Sequence, residues 1–167
     1  MTGSAAKLIR IVLFSAVLLA LSPACRKESA SSPSPAPQVT IEGRSWFVDL
    51  AMTDRQRIKG LSGRDYLPPD VGTLFIYPRP HVLIFWMEGC LIDLDIAFID
   101  SNMRVVKMYT MSVEPDLKGN KTYSSEVPAQ FALEVAAGML KQAGIRVGDQ
   151  VVFSRNIPSP AKAQEGP

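Results

Sequence analysis

From Gln38 onward, apolar and polar residues alternate with a period of two, the pattern of strands that bury one face. Val39-Thr40-Ile41 and Trp46-Phe47-Val48-Asp49-Leu50 predict an opening hairpin, turned at Glu42-Gly43-Arg44. The alternation then stops. Thr53-Asp54-Arg55-Gln56 has the form of a capping box, in which the Thr53 side chain accepts from the Gln56 amide and the Gln56 side chain reaches back. It predicts a short surface helix to about Lys59, ended by Gly60 or Gly63. Four strands follow, at Thr73–Tyr77, Val82–Met87, Leu94–Ile99 and Val105–Tyr109; the last two are joined by an Asp100-Ser101-Asn102 turn. Phe131–Val135 reads as strand, Ala136–Ala143 as a short helix stopped by Gly144, and Gln150–Phe153 as a closing strand. Seven to eight short strands with two short helices predict an α+β, mostly β domain over residues 38–155, compact and barrel- or sandwich-like.

The two ends do not follow this pattern. Lys7 and Arg10 precede an apolar run, Ile11 to Leu21, broken by Ser15 alone. The run is shorter than the ~20 residues that span a bilayer, and fits the hydrophobic region of a signal sequence over residues 1–24. Ser22 and Ala24 offer small residues for ordinary cleavage before Cys25. Leu21-Ser22-Pro23-Ala24-Cys25 also resembles a lipobox, with Ser22 where an aliphatic residue is usual, so Cys25 is expected to carry lipid. The alternative is a soluble secreted protein with a Cys25–Cys90 disulfide. Residues 26–37, rich in Ser, Ala and Pro, predict a hydrated tether at ~3.1 Å per residue where extended. Residues 156–167 read as a disordered tail. The expected location is therefore exported and membrane-tethered, in the periplasm or at the cell surface.

Composition changes this picture little. With 47% hydrophobic and 20% charged residues the chain is ordinary globular material. The formal charge of +2 is carried by the ends. The core has 13 basic against 14 acidic residues, interspersed and with no basic stripe, so nucleic acid is not an expected partner. If Cys25 bears lipid, Cys90 is left unpaired among apolar neighbours, where burial would protect it. A single histidine, His81, and the absence of a calcium-type loop, Walker motif or dinucleotide fingerprint leave no metal or cofactor expected.

Several segments resemble, in order and spacing, the bacterial and archaeal family called domain of unknown function 192. Arg57-x-x-Gly60-Leu61-Ser62-Gly63-Arg64 is similar to its R-x-x-G-L-M-x-R element, and Gly72-Thr73-Leu74-Phe75 to its G-M-L-F. Phe85 to Asp100, FWMEGCLIDLDIAFID, resembles F-W-M-K-N-T-x-I-P-L-D-I-x-F-I-D. Leu133-Glu134, Ala137-Gly138 and Gly144-Ile145-x-Val147-Gly148-Asp149 resemble its ending. The resemblance implies a compact, mostly β, often exported domain, with no assigned reaction. Glu88 stands where the family has Lys, Gly89-Cys90 where it has Asn-Thr, and Asp93 where it has Pro. The family elements also suggest Arg64, Asp95 and Glu134 as one constellation, either a structural clamp or a holder of a ligand carboxylate.

Other candidates come from the residues themselves. Asp93 and Asp95, two apart on a strand, would face one side and with Glu88 could do acid/base work or hold a cation. The plainer reading makes Asp93 a solvated strand start and Asp95 a structural acceptor for nearby backbone or arginine. Trp86, Phe85, Tyr77 and Tyr66 could form an aromatic platform, although at strand spacing such residues usually pack the core. The expectation is a binding or accessory module of the cell envelope, with Arg64, Asp95, Glu134, Trp86 and Glu88 as the residues to watch. The rival is a small hydrolase or transferase using the acidic residues, with Arg64 orienting substrate.

Overall fold

A computed structural model describes residues 35–164. The expected signal segment, Cys25 and most of the tether lie outside these residues. Seven strands occur: β1 Gln38–Ile41, β2 Arg44–Ala51, β3 Val71–Trp86, β4 Leu94–Ile99, β5 Val105–Met111, β6 Thr122–Ala136 and β7 Val151–Phe153. Helix α1 spans Asp54–Lys59 and α2 spans Met139–Gln142. The strands form one curled, half-barrel sheet in the order β5-β4-β6-β3-β2-β1-β7. Every pairing is antiparallel except β2 with β3. The curl brings the ends of the sheet together: the Val151 amide donates to the Met103 carbonyl at 2.7 Å, and Arg104 bridges to Gln150. The mostly β architecture expected from the alternation is the one observed.

The sheet buries both faces. One face carries a core drawn from all seven strands, including Val39, Trp46, Leu74, Ala97, Val105, Leu133 and Val151. The other face, over β3, β4 and β6, is covered by the segments that follow β2 and β3, and holds Phe75, Leu83, Phe85, Ile96, Phe98 and Ala132 with Leu61, Leu67 and Cys90. This double burial explains why all six residues of β4 are buried and why the strand reads as continuous apolar sequence around one aspartate.

Local signals held where chemistry specifies geometry. The capping box at Thr53 and Gln56 is formed in both directions. The Glu42-Gly43 turn uses positive φ at both residues, 48° and 78°. Three readings needed correction. Thr73–Tyr77 and Val82–Met87 belong to one long strand with irregular register between Ile76 and His81. β6 starts nine residues earlier than the apolar run suggested, because Thr122–Gln130 pairs with the far half of β3. The segment from Asn156, expected to be disordered, lies against the sheet and ends in a 3-10 turn, Pro160–Gln164. Ile157 and the buried Ala163 reach the first core, and prolines lower the entropy lost in ordering such a segment.

The register irregularity in β3 shapes the molecule. Ten residues of straight strand would carry Phe85 about 33 Å from Phe75. Their rings instead meet edge to face at 4.9 Å. β3 therefore doubles back across Pro78-Arg79-Pro80, where two missing amides make regular pairing impossible, and its two halves enclose a crook.

Candidate functional site

The crook is occupied by a cavity of about 340 Å³. Its walls are Phe75 and Tyr77 from the first half of β3, Ile84, Phe85 and Trp86 from the second, and the stretch from Asp54 to Ser62. Glu88 and Cys90 close a third side, and Glu134 of β6 supplies a carboxyl from the sheet. The size falls within the ~300–1,000 Å³ of ligand sites, and the mix of aromatic wall and few polar groups is also typical of them.

Arg57 holds one wall in place. Its Nη1 donates to the carbonyls of Met52 and, at 2.9 Å, Ile76, while Nη2 donates to Asp54 at 2.7 Å. The guanidinium also lies over the Tyr77 ring, 4.9 Å from its centre. One side chain thus pins α1 to the edge of β3, a task that needs the planar fork of arginine. Gly60, at φ 42°, lets the chain leave α1 close above Phe75; a Cβ there would lie 3.3 Å from the ring.

Glu134 is the chemically unusual group. It is buried, and burial alone pushes its carboxyl up to about 8, with neither a hydrogen bond nor a neighbouring charge to offset it. Its position is set by backbone packing. It pairs with Thr73 of β3 and Ile96 of β4, and Gly72 lies so close that a Cβ would come 2.5 Å from the Glu134 carbonyl oxygen. Around it, Tyr77 is raised to about 12, chiefly by burial and against the pull of Arg57. The Cys90 thiol is raised to about 11 by burial, then by Glu134, with Lys59 opposing. Cys90 is buried, as its apolar neighbours predict, and burial holds its thiol in the protonated, unreactive form.

The candidates from sequence divide between this cavity and other places. Trp86, Glu88 and Glu134 come together at it, with Phe85 and Tyr77 of the proposed aromatic platform. Tyr66 is exposed and lies elsewhere. Asp95 is buried on the opposite face of the sheet, because its cross-strand partner is Val135 and that of Glu134 is Ile96. There Asp95 accepts from Thr110 Oγ1 at 2.7 Å and from the Leu140 amide at 3.0 Å, fastening β5 and α2 to β4. Arg64 reaches neither acid; it pairs with Asp49 at 2.6 Å on the surface. The constellation of Arg64, Asp95 and Glu134 is thus not assembled. Asp93 accepts from the Val113 amide at 2.7 Å, apart from Glu88, and no grouping of three metal-binding side chains exists among the described residues. His81 sits at the bend, its ring edge-on to Tyr77.

Sequence reasoning missed Arg57 and Lys59 as parts of the site. Arg57 heads the first family-like element, but nothing in the spacing shows that β3 folds back to meet it.

Residues 37–153 match the DUF192 family, described as "Uncharacterized ACR, COG1430". No curated protein matches the chain. Solved structures that are similar include the following two. One, from Sinorhizobium meliloti 1021, is described as a "putative transcription regulator"; it is 28% identical with a TM-score of 0.63, over 71% of this chain and 94% of that one. The other, a protein of unknown function from Novosphingobium aromaticivorans DSM 12444, is 28% identical with a TM-score of 0.64, over 69% and 83%.

Proposed function

The chain belongs to the DUF192 family, and we propose that it is a ligand-binding module of the cell envelope whose site is the crook of β3. One observation carries this reading: Glu134, a residue only 4% exposed, lines an accessible cavity, and burial is the only influence raising its carboxyl. In an apolar pocket of low local dielectric, a ligand's hydrogen bond to such a carboxyl is stronger than the same bond in open water. Sites built for binding concentrate such groups among apolar walls.

A hydrolase or transferase reading finds support in the same carboxyl, since a Glu titrating near 8 is a candidate general acid. Its intended helpers are elsewhere, with Asp95 on the other face and Arg64 paired to Asp49. The thiol beside Glu134 is held protonated. Binding needs none of these and is the better account. The regulator description belongs to the Sinorhizobium protein; the core of this chain has no basic stripe to meet a phosphate backbone.

The envelope part of the proposal rests on Lys7, Arg10, the apolar run to Leu21 and Cys25, which together support export with a lipid on Cys25 and residues 26–37 as tether.

Thermal-shift screening of the detergent-solubilised chain tests the site, with Glu134→Gln and Asp95→Asn beside wild type. Ligands of the crook should raise the melting temperature of wild type and Asp95→Asn alike and leave Glu134→Gln unmoved. Equal shifts in all three would place binding elsewhere.

A further inference from the structure

The cavity's charge balance is specific enough to say what kind of ligand it takes. Five charged side chains border it: Asp54, Glu88, Glu134, Arg57 and Lys59. Arg57 is already committed to Asp54 and to two backbone carbonyls. Lys59 offsets one of the two remaining acids, which leaves one carboxylate in excess when Glu134 is ionised. The buried member of the pair is Glu134, and no cation reaches it. An ion buried without a partner is strongly disfavoured, while an opposite charge brought within hydrogen-bond distance restores it.

The walls suit the rest of such a ligand. Phe75 and Phe85 are buried, and Trp86 and Ile84 at the mouth are half exposed. Together they offer apolar surface along which a methylene chain can lie, as the stems of lysine and arginine do, with its charged end passing inward to the Glu134 carboxyl. In that balance Lys59 offsets Glu88 at the wall, so the excess negative charge of the cavity belongs to the buried Glu134 carboxylate. This segment carries Glu88 where the related motif carries lysine, so the sign of the cavity is a property of this chain's own residues.

Resting on the binding reading above, we infer that the ligand is an alkylammonium, whose methylene chain packs between Trp86 and the phenylalanines and whose ammonium pairs with the Glu134 carboxylate. The same chemistry is offered by a free alkylamine and by the side chain of a lysine within a peptide.

NMR titration of the detergent-solubilised chain at pH 8 distinguishes the cases, with butylamine and N-acetyl-lysine methylamide as probes. 1-Butanol and N-acetyl-norleucine methylamide serve as their neutral counterparts. Each amine should bind roughly tenfold to a hundredfold more tightly than its counterpart, the range expected for a charge-assisted hydrogen bond. Preference for the lysine derivative over butylamine assigns a peptide source, and equal binding assigns the free amine. Glu134→Gln should lose the discrimination while keeping its fold, checked by its unchanged spectrum, and Glu88→Gln should keep most of it. If amine and neutral probe bind wild type equally at the crook, the cationic inference fails and the binding site stands. If the amines do not perturb the crook at all while other ligands from the screen do, the inference fails in the same way. If nothing binds there, both readings fail.

Discussion

At Glu134 the folded protein holds a proton that the unfolded chain gives up. The carboxyl titrates near 8 when folded against an ordinary value of 4.5, so between those limits the folded state binds more protons. Stability must then fall as pH rises through the window, by up to about 1.4 kcal/mol per pH unit, and level off above 8. Glu134→Gln should flatten the profile and denature at higher urea than wild type at pH 8; parallel profiles at pH 5 and 8 would remove Glu134 as the cause. Tyr77 and Cys90, the titratable neighbours, ionise above this window and do not blur it. Two other residues singled out in the sequence predict contrasting outcomes. Asp95→Ala leaves the buried Leu140 amide without its acceptor and should cost about 1–3 kcal/mol, while the exposed Thr110 hydroxyl can turn to water. Arg64→Ala removes an exposed ion pair and should cost less than about 1 kcal/mol in the same urea titration. Neither should change ligand binding, since neither side chain faces the crook.

Helix α1 is six residues long and buries none of them, so its place depends on what ties it down. Isolated helices of that length do not persist in water. The capping box holds its first turn, and Arg57 fastens it to β3 through Ile76 and Tyr77. Arg57→Lys keeps the charge and loses the fork. Hydrogen exchange at the amides of α1 should then accelerate, while β4, buried along its whole length, remains protected. Unchanged exchange in α1 would mean that the cap alone holds it. Because α1 is one wall of the cavity, ligand affinity should fall with the same substitution. The two halves of β3 need no such fastening, since β6 pairs with both of them.

For the whole molecule, the proposal joins a folded binding domain to a lipid anchor. A lipid on Cys25, if present, would leave the Ser/Pro-rich residues 26–37 as the link between anchor and domain in the sequence. Palmitate labelling of cells should mark wild type and spare Cys25→Ser, and the variant should move from the membrane to the soluble fraction. Unlabelled, soluble protein in both cases would leave ordinary secretion as the account of residues 1–24.

Alternation in the sequence was enough to reveal a mostly β domain, its opening hairpin and the β4–β5 pair, and the Thr53-x-x-Gln56 spacing revealed the capping box, because each of these depends on contacts between near neighbours along the chain. Residue chemistry placed Trp86 and Glu88 among the residues worth watching, and the family resemblance placed Glu134 there. The sequence alone could not show which of them meet. Whether Asp95 and Glu134 share a face depends on the register between β4 and β6, and a shift of one residue reverses the answer. Nor could it show that β3 turns back on itself at Pro78–Pro80, that Thr122–Gln130 extends β6 to follow it, or that Arg57 crosses to the bend. Those are long-range pairings, settled only when both faces of the sheet find apolar cover. The cavity is what remains where that cover, the Asp54–Ser62 stretch against the crook, leaves one carboxyl of β6 without a partner.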